Sequence, residues 1–457
     1  MAVPWSSSDL HLDWQPDGGR RGLAEALRRA IRDGRLSPGA VVPSTRTLAR
    51  DLGVARGTIT RVYADLTVEG YLYTSQGAPT RVAATGAPPI APPEEKIRPR
   101  AAPWVPDARW DLYPGRPDLS AFPRAAWLSA ARRVLQDAPA AALDYGDTRG
   151  PAALREALAR YLARTRGVLA DPGRIVLCGG FKHAITALGH VFGELAFEDP
   201  SLPEFRTMAT LGGARVTGVR VDEHGLQVSE LDSPVVVVTP AHQYPLGVTL
   251  APERRTALAR WATDTGGLVI EDDYDGEFRF DRQPVGAVQA LAPERIVYAG
   301  TVSKTLVPAL HIGWLVVPRA LAEPVRDALA GTGWRPPALD HLILAELLNS
   351  GAYDRHVRQR RAAYRRRRDR LLGALPPGFT PTGISAGLHL MLGIPGTSEE
   401  EALATISRHS VAVDGLARHR MAEQREPGIV VGYATPAEHA FGPALEALVT
   451  ALREITA

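Results

Sequence analysis

A reactive lysine is the first candidate for chemistry in this chain. The sequence carries 53 basic residues, yet only Lys96, Lys182 and Lys304 among them are lysine. Lys304 ends the stretch 298–304 (YAGTVSK), in which a short apolar strand runs into glycine, threonine and serine. Arginine stays protonated and cannot form a Schiff base, whereas a desolvated lysine can. The scarcity makes Lys304 a candidate for covalent chemistry, and chance placement of three lysines is the alternative.

Two further groups stand at the ends of predicted elements. The motif EDDYDGEF follows a predicted strand over 267–271 and brings Asp272 and Tyr274, while a glycine pair ending at Gly180 opens a predicted helix. Because ligands of parallel sheets lie beyond the carboxyl ends of the strands, we expect these groups at one edge. Together with Lys304 they match what pyridoxal 5'-phosphate needs at its ring nitrogen, ring hydroxyl, phosphate and aldehyde. Each group alone is common, and an acidic loop or an ordinary helix start is then the simpler interpretation.

Composition places this chemistry in an ordinary globular protein. The 457 residues are 45% hydrophobic and 23% charged, with a net charge of +3, which predicts two or three domains. So small a net charge gives no global argument for nucleic-acid binding. The single cysteine, Cys178, allows no internal disulfide, and the N-terminus has no signal-peptide pattern. The longest apolar run, at 235–238, is too short to span a bilayer, so we expect a cytoplasmic protein with no membrane partner.

From residue 110 onward, apolar strands alternate with helices. This pattern predicts an α/β domain over 110–457 with a largely parallel sheet. The predicted strands are 174–177, 235–239, 267–271, 296–299 and 312–317, and the predicted helices between them are 151–166, 181–192 and 251–263.

The first eighty residues have a different pattern. Helical spacing predicts helices over 22–33, from Ser44 to Leu52, and from Ala55 or Arg56 to Val68. The second and third are joined through Gly53, as in a helix-turn-helix, and β-prone segments over 71–82 predict a hairpin wing. We therefore expect a DNA-binding domain over 1–82, followed by a proline- and alanine-rich linker over 83–109.

Arginine and threonine residues crowd the N-terminal ends of the second and third predicted helices. Arg46, Arg56, Thr58 and Arg61 stand where a recognition helix contacts phosphates and base edges. For each arginine alone, a solvated helix face is the simpler interpretation. The pattern as a whole favours double-stranded DNA as a partner.

The run PGAVVPSTRTLARDLGVARGTITRVYADLTVEGYL resembles the GntR-type winged helix-turn-helix family. The resemblance implies DNA contacts from Arg46, Arg56, Gly57 and Thr58, with the wing near Gly77 entering the minor groove. One departure is an alanine at 55, where the family often has a serine.

The resemblance then extends over the whole chain. YPGRPDLSAFPRAAW, LDYGDTRGPAALREALARYLARTRGV, VVVVTPAHQYPLGVTL, EDDYDGEF and GTVSKTLVPALHIGWLVVP look like the MocR subfamily of GntR regulators. In that family a winged helix domain is fused to a domain similar to fold-type-I pyridoxal-phosphate-dependent aminotransferases, usually as a homodimer. The implied roles are Lys304 as the Schiff-base lysine, Asp272 on the pyridine nitrogen, Tyr274 on the phenolic oxygen, Thr301 and Ser303 near the phosphate, and His242 and Gln243 facing the cofactor or its ligand. Gly180, Phe181 and Lys182, at the start of the predicted helix that suits a phosphate, are also expected to contact the cofactor.

Several positions depart from the family pattern. His311 stands where an arginine usually grips the phosphate, and CGGFKHA brings Lys182 where a glutamine is usual. One hypothesis is that Lys182 supplies the charge that His311 gives up; the alternative is that Lys182 points to solvent. Leu202 replaces an aromatic residue, and Val430 stands where some members have a carboxylate-binding arginine, with Arg425 close by but not at the matching position.

These features predict a transcriptional regulator that senses pyridoxal 5'-phosphate, or an amine or amino-acid effector through it. Two alternatives stay open: an active aminotransferase with a DNA-binding head, and a regulator that has lost the cofactor. No metal site is predicted. The segment 354–370 holds nine arginines, for which a solvated helix face is favoured over a nucleic-acid patch.

Overall fold

The computed structural model of the chain describes residues 12, 14–75, 78–83, 108–281, 285–422 and 426–456. The chain divides into two compact units, Met1–Arg100 and Ala101–Ala457. The division falls within the segment predicted as the linker. The last strand described in the first unit ends at Val82, and the first strand of the second begins at Trp110.

The first unit is a small helical domain with a two-stranded hairpin. Its elements are α1 (Gly19–Arg32), α2 (Thr45–Leu52), α3 (Arg56–Val68), β1 (Leu72–Tyr73) and β2 (Arg81–Val82).

Local sequence signals account for these elements. The Ser44 hydroxyl accepts the N–H of Thr47 at 3.1 Å, which caps α2 as predicted. Gly53 follows with φ +65°, a left-handed conformation that costs glycine little, so the chain turns tightly into α3. β1 pairs antiparallel with β2, so the predicted helices and hairpin are confirmed. Gly77 lies outside the described residues.

The second unit contains ten helices among its described residues. They are α4 (Arg124–Asp137), α5 (Ala152–Arg166), α6 (Phe181–Phe192), α7 (Pro203–Leu211), α8 (Pro252–Thr265), α9 (Ala322–Gly331), α10 (Ala338–Asn349), α11 (Ala352–Ala374), α12 (Glu399–Arg408) and α13 (Glu438–Ile455).

Its described strands alternate with these helices. They are β3 (Trp110–Asp111), β4 (Ile175–Cys178), β5 (Glu194–Asp199), β6 (Arg215–Asp222), β7 (Gly225–Leu226), β8 (Val235–Val238), β9 (Leu268–Asp272), β10 (Ile296–Thr301), β11 (Gly313–Val316), β12 (Thr380–Thr382), β13 (His389–Gly393), β14 (Val411–Ala412), β15 (Asp414–Gly415) and β16 (Gly428–Gly432).

An eight-stranded sheet forms the centre of the second unit, in the order β4-β11-β10-β9-β8-β5-β6-β7. The neighbours from β10 through β6 are parallel, whereas β11 runs antiparallel to both of its neighbours. The sheet is thus mostly parallel, as predicted. The predicted strands all form, but β5 and β6 were not predicted, because ELAFED and RVTGVRVD interrupt their apolar residues with polar ones.

A second, four-stranded sheet in the order β12-β13-β16-β15 packs with α12 and α13 around its own apolar core. This sheet and its two helices are the C-terminal lobe of the unit. The first strand, β3, pairs in parallel with β14, so the chain enters the second unit beside its C-terminal lobe. This pairing positions the loop after β3, which carries several residues of the site described below.

The arginine-rich segment lies within α11, a helix of 23 residues. Arg367 is buried, and its Nη2 donates to Asp118 at 3.0 Å and to Glu438 at 2.8 Å. Six of the nine arginines of the segment are exposed, namely Arg355, Arg358, Arg361, Arg365, Arg366 and Arg370. Most of the segment is therefore a solvated helix face, while Arg367 fastens the helix to the C-terminal lobe. Along the described part of the chain, no helix combines the length and apolar character needed to cross a membrane.

Candidate functional site

A cavity of about 500 Å³ lies at the carboxyl edge of the large sheet. The residues that follow β4, β5, β8, β9 and β10 all reach it, as expected for a ligand site of a parallel sheet. Nine of the eleven residues predicted to contact a cofactor line this cavity: Lys304, Asp272, Tyr274, Ser303, Thr301, Gly180, Phe181, Lys182 and His311.

Lys304 presents its amine inside the cavity. Its Nζ donates to the carbonyl oxygen of Gly115 at 2.6 Å. Burial lowers the pKa of Lys304 below its usual value, and the negative charge of Asp272 opposes this only in part. An amine that loses its proton more easily is a better nucleophile toward an aldehyde.

Asp272 is the last residue of β9 and is buried in the cavity wall. Burial raises the pKa of its carboxyl group well above the usual value, while the charge of Lys304 acts in the opposite direction. A protonated ring nitrogen placed beside it would favour its charged form. The next residue, Asp273, points to the other face of the strand, where Arg166 Nε donates to it at 2.6 Å and the Tyr298 hydroxyl at 2.7 Å.

His242 and Gln243 were expected to face the cavity, but the structure places both behind its wall. His242 Nδ1 lies 2.9 Å from Asp275 Oδ2 and 3.1 Å from the hydroxyl of Tyr274. Gln243 is buried and donates to the carbonyl oxygens of Pro200 and Tyr244, both at 2.8 Å. Their side chains are thus used to hold the loop.

Tyr244 lines the cavity in their place. It belongs to the same HQYPLG motif, so its presence near the site could have been found from the sequence. The direction of each side chain in this loop could not, because it depends on how the loop packs.

The end of the cavity beside α6 has the donors of a phosphate site. Gly180 caps α6 with φ +93°, and the first-turn N–H groups of a helix have no partner within it. The hydroxyl of Thr301 donates to Ser303 Oγ at 2.9 Å and accepts the N–H of Ser303 at 3.1 Å, which orients both residues. These groups fit an anion at this end.

Two basic residues, Lys182 and His311, accompany the helix end. Lys182 lines the cavity from the first turn of α6. Burial and the nearby carboxylates have the larger effects on the pKa of Lys304, and the charge of Lys182 lowers it further. His311 is exposed and lies in the left-handed region with φ +50°, which is uncommon outside glycine.

Glu198 is a cavity residue that was not predicted. It is a buried residue near the end of β5. Its Oε2 accepts hydrogen bonds from the backbone N–H of Thr239 at 3.0 Å and from Nε2 of Gln243 at 3.4 Å. Burial raises its pKa to about 7 in spite of these hydrogen bonds. Glu198 was not predicted because β5, the strand that carries it, was not predicted.

Two arginines at the cavity, Arg116 and Arg418, were also not predicted. Arg116 belongs to the YPGRPD motif, whereas no spacing signal connects Arg418 with the site. Val430, at the position of the usual carboxylate-binding arginine, is fully buried in β16 against Met391 and Leu416. Leu202 lines the cavity, and Arg425 lies outside the described residues.

The predicted DNA-contacting residues lie on the first unit. Arg46, Arg56, Gly57 and Arg61 are exposed, and Thr58 is half-buried at the start of α3. Within the described residues, Arg46, Arg56 and Arg61 form no ion pair, whereas Arg28 of the same unit is bound to Glu69 at 2.6 Å. These three guanidinium groups are therefore available to an external anion.

Two protein families match the two units. Residues 20–82 match the bacterial regulatory proteins of the gntR family, and residues 116–422 match the aminotransferases of class I and II. Combined with the fold and the cavity, this defines a winged helix-turn-helix protein fused to an aminotransferase-like domain.

The chain belongs to the MocR type of GntR transcriptional regulators. It is 31% identical over 421 residues to the HTH-type pyridoxine biosynthesis transcriptional regulator PdxR of Corynebacterium glutamicum, covering 90% of this chain and 91% of that relative. It is 30% identical over 444 residues to the probable rhizopine catabolism regulatory protein MocR of Rhizobium meliloti, covering 91% and 90%.

The second unit has the fold-type-I aminotransferase fold. It superposes on a kynurenine aminotransferase of Pyrococcus horikoshii with a TM-score of 0.70 and 24% identity, covering 76% of this chain and 91% of that structure. The resemblances drawn from the sequence motifs are thus confirmed at the level of family and fold.

Proposed function

We propose that this regulator binds pyridoxal 5'-phosphate in its aminotransferase-like unit and senses an amine or amino-acid effector through it. The observation that carries the proposal is the meeting of Lys304, Asp272 and Tyr274 in one cavity at the carboxyl edge of the sheet. When bound, this cofactor supplies an electron-withdrawing ring and an aldehyde that reacts reversibly with amines.

The residues present fit the cofactor. Lys304 supplies an amine with a lowered pKa, and Asp272 supplies a buried carboxylate for a ring N–H. The helix start at Gly180, with Ser303 and Lys182 beside it, offers donors and positive charge for a phosphate. The printed name of PdxR connects that relative with pyridoxine biosynthesis, which supports a vitamin B6 ligand here.

A sensing role explains the departures from the family pattern better than a catalytic role in transamination does. Val430 offers no grip on an amino-acid carboxylate, and His311 lacks the bidentate geometry of arginine. Efficient transamination needs both substrate and cofactor held in a fixed geometry. A sensor needs only binding that differs between two states of the protein.

The DNA-binding part of the proposal rests on Arg46, Arg56 and Arg61 of the first unit, which are exposed and form no ion pair with any residue that the structure describes. The proposed partner is a double-stranded DNA operator, and we accordingly propose a cytoplasmic location. A homodimer is supported by exposed apolar residues in consecutive segments of the second unit, with Leu128, Leu135 and Leu143 each 63% exposed and Tyr145 86% exposed.

Absorbance spectroscopy tests the cofactor. Purified protein mixed with pyridoxal 5'-phosphate is expected to show the visible band of the cofactor bound covalently to a lysine. Lys304→Ala should abolish that band, while Lys96→Ala, a lysine in the predicted linker, should keep it. A wild type that gains no band would refute the cofactor proposal, and many turnovers with amino acids would favour an enzyme instead.

A further inference from the structure

We infer that Arg116 recognises an acidic group on the effector, which makes the effector an amine that also carries a carboxylate or sulfonate. This inference rests on the proposed function, because it concerns a ligand that meets the cofactor held at Lys304. It narrows the effector from amines in general to amino acids in the broad sense.

The position that binds a carboxylate in some relatives is closed to that role here. Val430 is fully buried in β16, packed with Met391, Leu416 and Leu246. This apolar cluster has no donor for an anion. An acidic effector would need its positive partner elsewhere in the cavity.

Arg418, one of the two arginines at the cavity, is already occupied. Its Nη1 donates to Tyr113 Oη and, at 3.0 Å, to Asp414 Oδ2, and its Nη2 donates to Glu204. Two carboxylates therefore balance its single charge. A further anion would have to displace one of them, so Arg418 is poorly suited to bind an acid.

Arg116 has the opposite arrangement. Among the described residues it forms one ion pair, from Nη2 to Asp111 Oδ2, and neither its Nη1 nor its buried Nε has a hydrogen-bond partner there. A buried N–H that lacks an acceptor is unfavourable, and one on a charged guanidinium binds a carboxylate more strongly than a neutral acceptor. Because Nε has no accessible surface whereas Nη1 does, Nη1 is the donor that a ligand in the cavity can reach.

The position of Arg116 relative to the reactive amine of Lys304 determines which part of the effector it would contact. It follows Gly115, whose carbonyl oxygen accepts the Lys304 Nζ–H at 2.6 Å. After the larger effect of burial, the positive charges of Lys182 and Arg116 also lower the pKa of Lys304. A ligand whose amine reaches Lys304 therefore lies beside Arg116.

Two pairs of probes test the inference on the full-length protein loaded with pyridoxal 5'-phosphate. L-Alanine is compared with isopropylamine, and β-alanine with n-propylamine, so that each pair differs by a methyl group in place of the carboxylate. Titrations followed by the absorbance of the bound cofactor give an apparent Kd for each probe. We expect the wild type to prefer the acidic member of at least one pair by roughly 10- to 150-fold, as for a charged hydrogen bond.

The variants separate recognition from folding. Arg116→Gln should bring that preference close to one while leaving both the cofactor band and the affinity for the simple amines within about twofold. Arg116→Lys should keep part of the preference, because it keeps the charge. Arg260→Gln, an exposed arginine on α8, is the matched control and should behave as the wild type.

Three results would overturn the inference. They are equal affinities within both pairs for the wild type, an undiminished preference in Arg116→Gln, and loss of the preference in Arg418→Gln but not in Arg116→Gln. A wild type that never shows the cofactor band would overturn the proposed function as well. With the band present, any of the three results refutes only the role of Arg116.

Discussion

Lys304 and Asp272 both line the cavity, and burial acts on each of them toward its neutral form. The pKa of the lysine is lowered and that of the aspartate is raised, while their mutual attraction opposes both shifts. Without a ligand, the pair therefore contains charge that is poorly solvated. A ligand that brings an aldehyde and a ring N–H would supply each with a partner.

Glu198 should make the stability of the second unit depend on pH between about 4.5 and 7. Burial raises its pKa from 4.5 to about 7, so the folded protein binds a proton in this interval that the unfolded chain releases. The stabilising contribution is complete at low pH and is lost as the pH rises through 7. Between pH 5 and pH 7.5, the free energy of unfolding of the wild type should fall by roughly 2 to 3 kcal/mol more than that of Glu198→Gln.

Urea unfolding of both proteins at the two pH values measures this difference. Comparing the change with pH cancels the constant effect of the substitution on hydrogen bonds to Thr239. Parallel pH profiles for wild type and variant would contradict the prediction.

Lys182 and His311 allow a compensation test at the phosphate end. If Lys182 supplies the charge that an arginine at 311 would provide, Lys182→Gln should weaken pyridoxal 5'-phosphate binding about tenfold. Adding His311→Arg to that variant should recover most of the loss, because the cavity regains a cation there. Equilibrium titration gives the affinities, and an unchanged affinity in Lys182→Gln would mean that Lys182 serves the solvent-exposed face of α6 only.

Among the elements, α2 and α3 show most directly how local signals fix a functional surface. The Ser44 cap and the left-handed Gly53 set where each helix begins and ends, and this directs the start of α3 outward. Apart from its chain neighbours and the adjacent helix backbone, no described residue has an atom within 4 Å of the place where a Cβ on Gly57 would stand, so a DNA backbone can come close there.

Arg56→Ala should weaken binding to a DNA fragment from upstream of the protein's own gene. Removing one phosphate contact should reduce the salt dependence of binding by about one unit of slope on a log–log plot. Fluorescence anisotropy at several salt concentrations measures both quantities. Arg50→Ala, an exposed arginine on α2 near Asp51, is the control and should change neither; equal behaviour of the two variants would count against a role for Arg56.

For the whole molecule, the exposed apolar residues on α4 and in the segment after it support the proposed homodimer. Leu128 is 63% exposed and Tyr145 86% exposed, in segments close in sequence, and such surface is usually covered. The proposed homodimer would cover it. Neither residue belongs to the apolar cores of the unit.

Leu128→Glu combined with Tyr145→Glu should convert the dimer to monomer. Burying two carboxylates in an apolar interface is costly, so the mass measured by light scattering should fall from twice 49.1 kDa to 49.1 kDa. Leu211→Glu is the matched control, since Leu211 is 70% exposed at the end of α7. A double variant that stays dimeric would exclude this surface as the interface.

Local sequence patterns predict the two-unit organisation, the helix-turn-helix and the strand ends that carry Lys304, Asp272 and Tyr274. These features follow from local rules: helix caps, apolar periodicity, and the placement of polar residues directly after buried strands. Which side chains enter the cavity depends on the tertiary fold. It turned His242 and Gln243 away, brought in Tyr244 and Glu198, and added Arg116 through the pairing of β3 with β14. Contacts between residues far apart in sequence set these directions, and local spacing carries no information about them.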